Sequence, residues 1–385
     1  MTQRLVRLEL VGNVEKMPTE VLFINPSNRA EKLTCLMRRE GMTIRNLGWR
    51  LAGNRVEKLA LIVRLILDLW RETIIEVEKT RIVVVDGFGW SSVIALVVAR
   101  LKRLPLVIRL RGDPREELSS EFRNRVSNRS LWRRCRLSVR FCLDDFVLRR
   151  ATLILAVSKF LAEKVQVRLR ISNDRFGILH VPVNISNIIQ NCDGDIRTIS
   201  PPILPGGRFI MMATNFNFSK KIAGIQRFMP QILQVLEIYP DLSLVIAGRG
   251  TYFEEFKEEM RYRSDRIFML GYRNDMAQFY AAAELFVHLS FLDTFPNVVI
   301  EAQAAGLPVI VNNFGGLLEG LRRPGGMVVD NDSADGFVCA IREVLADPVA
   351  ARERAALSRD AVLAEFSEAS LSARLGEIFH QVLGS

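Results

Sequence analysis

The chain has 385 residues, of which 49% are hydrophobic and 25% charged, a balance that suggests two globular domains and excludes a disordered or fibrous chain. Its net charge of +10 is uneven: residues 1–200 hold 36 Lys and Arg against 21 Asp and Glu, whereas residues 201–385 hold 17 against 22. The first half is therefore expected to meet an anionic surface, nucleic acid and anionic lipid being equal by charge alone.

Zinc-type spacing, an RNP-type aromatic motif and a recognition helix are all missing from the sequence, so nucleic acid is not expected. The start, MTQRLVRLEL, is polar and has no secretory apolar core. The longest apolar stretch, 59–70, is broken by Arg64 and Asp68, well short of the roughly 18 residues of a membrane span. Five scattered cysteines (35, 135, 142, 192, 339) are expected to be free thiols in a reducing compartment. These signs together predict a cytoplasmic chain.

In chain order, residues 21–25 (VLFIN) read as a strand ended by Pro26, Ser27 and Asn28. Residues 30–41 read as a helix and 56–79 as a long amphipathic helix. Residues 81–86 (RIVVVD) are a buried strand, 91–103 a helix, and 106–110 (LVIRL) a strand ending at Arg111, Gly112 and Asp113. Segment 122–150 is distinctive. Trp132, Cys135, Val139, Cys142 and Phe146 recur at helical steps on one face, and Arg133, Arg134, Arg136 and Arg140 lie off it, with Arg123, Arg125 and Arg129 just before. Such a basic amphipathic helix suits an anionic membrane surface, and equally suits packing on its own domain with a solvated arginine face. A strand at 153–158 and a helix at 159–170 follow.

Residues 185–207, with Asp193-Gly194-Asp195, Ser200-Pro201-Pro202 and Pro205-Gly206-Gly207, have linker chemistry. The Asp193/Asp195 pair is read there as a turn, not a metal site, and three histidines (180, 288, 380) are too few and too scattered for one. Beyond the linker, strands are expected at 209–213 (FIMMA), 242–247, 267–270, 285–288 and 309–312, and helices at 225–239 and 369–383. Strands alternating with helices predict parallel sheets. The fold class is thus α/β, with two Rossmann-like doubly wound domains facing a cleft where the ligand sits at the carboxyl ends of the strands. The expected division is 1–200, 201–368 and a closing segment 369–385 that crosses back to the first domain.

Residues 290–319, SFLDTFPNVVIEAQAAGLPVIVNNFGGLLE, carry the chemistry. Pro296 and Asn297 stand where a helix would begin, and the free amides of a helix start bind phosphate. Glu301 lies about one turn further in, where a carboxylate can accept bonds from ribose hydroxyls. With Asp293 in the preceding turn, these residues suggest a nucleotide-diphosphate pocket.

This segment resembles the donor motif of retaining glycosyltransferases of family 4, the glycosyl transferases group 1, which have the GT-B fold. Their pattern is Glu, seven residues, Glu, then a Gly-x-Pro-Val strand and a Gly-Gly turn with a further Glu. Here it runs Asp293, seven residues, Glu301, Gly306-Leu307-Pro308-Val309, Gly315-Gly316 and Glu319. The resemblance covers about residues 21–383, strongest over 209–347. It implies a metal-independent hexosyltransferase that takes a nucleotide-diphosphate sugar as donor substrate, with no other cofactor, and attacks from the same face without a protein nucleophile. The implied acceptor is a lipid-linked or polysaccharide glycan, such as a lipopolysaccharide precursor, reached peripherally on the inner face of the membrane.

The resemblance places Asp293, Lys220 and Arg111 at the reacting centre, and Glu301, Lys221, Asn215, Gly248, Phe295, Pro296 and Asn297 around the donor. Lys220 stands at the position of the family's diphosphate-binding Lys. Asn215 stands where the family has an Arg, so one cation is missing, and Lys221 is the available substitute. Breaking a sugar–diphosphate bond builds negative charge on the leaving phosphate, which a fixed cation stabilises. Gly248-Arg249-Gly250 matches the family's Gly-x-Gly turn, and His288 reads as structural. Asp293 in place of Glu departs from the pattern. With Asn215 it motivates one rival reading, a catalytically weakened binding subunit. A nucleotide-sugar epimerase of the same fold is the other.

Overall fold

The computed structural model describes residues 20–25, 31–48, 80–113, 115–116, 131–192 and 207–384. The expected helix at 56–79, the loop after residue 25 and residues 193–206 of the linker lie outside them.

Two six-stranded parallel sheets form the framework. The first contains β1 (Glu20–Asn25), β2 (Thr43–Gly48), β3 (Thr80–Asp86), β4 (Leu106–Leu110), β5 (Leu153–Ala156) and β6 (Phe176–Ile178), in the order β2-β1-β3-β4-β5-β6. The second contains β7 (Arg208–Asn215), β8 (Leu242–Arg249), β9 (Ile267–Gly271), β10 (Leu285–His288), β11 (Val309–Asn312) and β12 (Gly326–Val329), in the order β12-β11-β10-β7-β8-β9. The strand order reverses between β7 and β10, whose residues Leu285 and Phe286 pair with Ile210 and Met211. In an open α/β sheet, such a switch point leaves a crevice at the carboxyl ends of the strands.

The inner strands are apolar runs because both faces of each sheet are covered. On one face of the first sheet Leu22, Val83, Val85 and Ile108 join Leu96 and Ala99 of the helix Trp90–Lys102 in a buried core. On the other, Val21, Phe23, Val84 and Val107 meet Leu33 and Met37 of the helix Glu31–Arg39. Leu375 and Phe379 of the final helix, Glu368–Gly384, complete that second core. The chain thus returns to the first sheet at its end, and Ser372 donates to the carbonyl of Leu36 at 3.0 Å.

Three edge strands, β2, β6 and β12, were not expected from the sequence. The expected linker is a helix at its start, Ile185–Cys192, which packs against the helices Met276–Ala282 and Asn297–Ala304 of the other sheet. Ile185 and Ile188, one turn apart, are buried there. Apolar burial overrides the turn-forming composition that follows. The helix expected at 225–239 begins earlier and runs Ser219–Ile238.

Candidate active site

The loop from β7 to the helix Ser219–Ile238 is ordered by its own side chains. Asn215 accepts a bond from the amide of Asn217 (3.0 Å), and Asn217 accepts one from the amide of Thr251 (3.0 Å), tying the ends of β7 and β8 together. Asn215 therefore shapes the loop and carries no charge to the crevice. Gly248 has φ +154°, and a Cβ there would stand 2.1 Å from the carbonyl oxygen of Thr214. Only glycine permits that approach.

The two adjacent lysines diverge. Lys221 turns into the switch point and pairs with Asp293 at 2.5 Å, both side chains 13% exposed. Lys220 points across the cleft to Glu116 of the first domain at 3.4 Å, and Glu116 also pairs with Lys164.

Asp293 is held on every side. Its other oxygen lies 2.9 Å from Nε2 of His288, and Nδ1 of the same ring lies 3.1 Å from the carbonyl of Ala213 in β7. Ser290 Oγ accepts from the amides of Leu292 and Asp293, and Asn312 at the end of β11 bonds both backbone groups of Ser290. Gly316 lies against the same turn, where a Cβ would meet the Asp293 carbonyl at 2.2 Å. Gly315 and Gly316 open a short helix, Gly315–Gly320, where the sequence suggested a turn. Burial alone would push the Asp293 carboxyl up, but the Lys221 charge and the bonds from His288 and Lys221 outweigh it. Together they hold the group well below the usual carboxylate range.

One helix further, Glu301 accepts a bond from the hydroxyl of Tyr280 at 3.1 Å. Its carboxyl is raised by burial, against the lowering effects of the Tyr280 bond and the charge of Lys32 from the first domain. Glu301 lies on the helix Asn297–Ala304, which opens at Pro296, and the Oδ1 atom of Asn297 is buried there without a partner. Phe295 instead stacks on His180 of the first domain (4.4 Å) and edges Phe366 (5.6 Å), so its ring packs the domain junction.

Arg111 forms a two-pronged pair with Asp86 at the end of β3, and its carbonyl accepts from Thr294 at 2.9 Å. Glu319 spans the domains, accepting the amides of Lys159 (2.6 Å) and Phe160 (3.1 Å) at the start of the helix Lys159–Leu169. The structure thus brings Lys221, Asp293, Glu301 and Asn297 to one side of the crevice. Arg111 lies on the other side, and Lys220 spans the two. Sequence reasoning missed Tyr280 and the contact of His288 with Asp293. A histidine five residues before an acid at a strand end is a signal that was available. Tyr280 had none.

Two doubly wound domains, each on a six-stranded parallel sheet, have the GT-B fold. Residues 200–361 match the family glycosyl transferases group 1, which bears out that part of the resemblance read from the sequence. UDP-Gal:alpha-D-GlcNAc-diphosphoundecaprenol alpha-1,3-galactosyltransferase of Escherichia coli is 31% identical over 118 residues, 29% of this chain and 30% of its own length. The lipopolysaccharide core biosynthesis mannosyltransferase LpsB of Rhizobium meliloti is 24% identical over 233 residues, 55% of this chain and 64% of its own. The matches thus span less than two thirds of these relatives. Among solved structures, HepE of Anabaena in complex with UDP and glucose superposes with a TM-score of 0.66 at 16% identity, covering 94% of this chain and 99% of that one.

Proposed function

We propose that the chain is a retaining glycosyltransferase of family 4 that moves a hexose from a nucleotide-diphosphate sugar to a lipid-linked or polysaccharide acceptor, without a metal. The observation that carries this reading is the buried Lys221–Asp293 pair at the β7/β10 switch point, with Glu301 on the next helix. The start of that helix and the unpartnered Asn297 Oδ1 suit the donor. Glu301 accepts the ribose hydroxyls, and Lys221 faces the diphosphate as the sugar bond breaks. Asp293, ionised and pinned, orients the donor sugar through its hydroxyls and does not shuttle protons. The acceptor enters from the first domain, past Arg111.

A membrane-borne acceptor is favoured by the helix Leu131–Arg150. Val139, Cys142 and Phe146, part of its apolar stripe, face solvent. Arg150 lies over the Phe146 ring at 3.7 Å, and the neighbouring helix Trp90–Lys102 exposes Val97 and Leu101. Apolar residues rimmed by arginine on an outer face suit peripheral binding to an anionic leaflet on the cytoplasmic side.

The test is product analysis with labelled nucleotide sugars and a lipid extract. Transfer with retained anomeric configuration is expected. An epimerised or free sugar without an acceptor would instead indicate the epimerase. Donor binding without turnover would indicate the weakened subunit.

A further inference from the structure

We infer that His288 is a positioning residue held as an imidazolium, whose charge leaves Lys221 available to the donor's diphosphate; this rests on the transfer reading above. Hydrogen-bond accounting carries it. The Ala213 carbonyl only accepts, so Nδ1 bears a hydrogen at 3.1 Å. The Asp293 carboxylate, kept ionised by Lys221, also only accepts, so Nε2 bears a hydrogen at 2.9 Å. Both bonds form together only on the doubly protonated ring.

In the sheet, His288 is paired with Val311 of β11, which offers no charge. The strand β7 presents the Ala213 carbonyl, the turn after β10 presents Asp293, and Phe286 on its own strand presents only a ring face at 6.2 Å. Lys221, from the helix Ser219–Ile238, stands beyond the carboxylate.

The consequence is electrostatic. Lys221 and Asp293 alone sum to zero, and a neutral pair stabilises a leaving diphosphate poorly. With the imidazolium the three groups sum to +1. Neither neighbouring position supplies that charge, because Asn215 is neutral and Lys220 is engaged with Glu116. The ring touches neither sugar nor phosphate, since both its nitrogens are bound to protein.

Nitrogen-15 NMR of the full chain labelled on histidine tests the charge directly. There are three histidines, and His288 is assigned by loss of its signals in His288→Gln. Both ring nitrogens of His288 should carry protons at neutral pH, and an unprotonated ring nitrogen would overturn the inference. This readout needs no catalysis, so it stands apart from the failure of the transfer reading. Calorimetry with inorganic pyrophosphate tests the consequence. His288→Gln should bind it about tenfold more weakly than the parent chain, and His288→Gln combined with Asp293→Asn should regain most of that loss. Unchanged affinity in the folded single variant, or no recovery in the double, would equally refute it. If the single variant does not fold, His180→Gln and His380→Gln assign the other two rings, and the remaining signals of the parent chain, those of His288, decide the matter.

Discussion

The two sides of the cleft use charge differently. At the carboxyl ends of β7 and β10, Lys221, Asp293 and His288 are nearly sealed from solvent and bound to one another. Toward the first domain, Arg111 is 33% exposed but pairs with a buried Asp86 of that same domain, and Lys220 of the second domain is 43% exposed where it meets Glu116 across the cleft. Buried charges are costly to leave alone and hold their geometry, whereas exposed pairs contribute about 0–1 kcal/mol and are screened by salt. The second domain therefore carries a fixed electrostatic centre. The exposed Lys220–Glu116 pair across the cleft is one that opening can break cheaply.

The largest effect that would sharpen this contrast concerns stability. Asp293→Asn leaves the buried Lys221 without its counter-charge and should destabilise the protein by about 3 kcal/mol at neutral pH. The Asp293 carboxyl is depressed in the folded state, so its contribution is fully present above the unfolded value of about 3.9 and is lost as pH falls below it. Denaturant melts of both proteins at pH 7 and pH 3 should show the gap narrowing in acid. A constant gap would mean the carboxylate charge does not matter. For activity, Asp293→Glu should retain part of the transfer that the Asn variant loses.

Turnover separates the two lysines next. Lys221→Ala should lower kcat by about a hundredfold or more, the scale seen when one preorganised charge stabiliser is removed. Lys220→Ala should lower it only a few-fold, since it loses an exposed pair. Steady-state rates that reversed this order would move the diphosphate to the first-domain side of the cleft.

Glu301→Ala should weaken nucleoside diphosphate binding by about 2 kcal/mol through lost charge-assisted bonds, as calorimetry would read. Because burial raises the Glu301 carboxyl, the protein should also lose affinity on acidification at a higher pH than an ordinary glutamate would allow. Affinity that stays flat down to pH 4 would count against its role.

The smallest effect lies on the outer face. Replacing Arg140, Arg149 and Arg150 with Gln should reduce binding to anionic vesicles by about 1 kcal/mol per cation, and high salt should abolish the remainder. Equal binding to neutral vesicles would return the helix Leu131–Arg150 to a packing role.

Much of this was legible before the structure. The strands at 81–86, 106–110, 242–247 and 309–312 are β-branched or leucine-rich runs, and such runs announce themselves when both faces of a sheet are covered. Short edge strands such as β6 and β12 carry no such run and exist because a neighbour pairs with them. At the site, the spacing from Asp293 to Glu301 was visible in the residues. Which of Lys220 and Lys221 faces Asp293 was not, since adjacent residues on a helix differ by about 100° in direction.

By itself, the sequence determined the class of fold and the charge imbalance between the halves, because these follow from composition and local periodicity, and it displayed the Asp293-to-Glu301 spacing that carries the family resemblance. The tertiary structure alone decided three further things: that His288 joins Asp293, that Tyr280 reaches Glu301 from 21 residues away, and that Glu319 caps a helix of the other domain. Each depends on where a side chain ends after two sheets have packed, and no local pattern encodes that meeting.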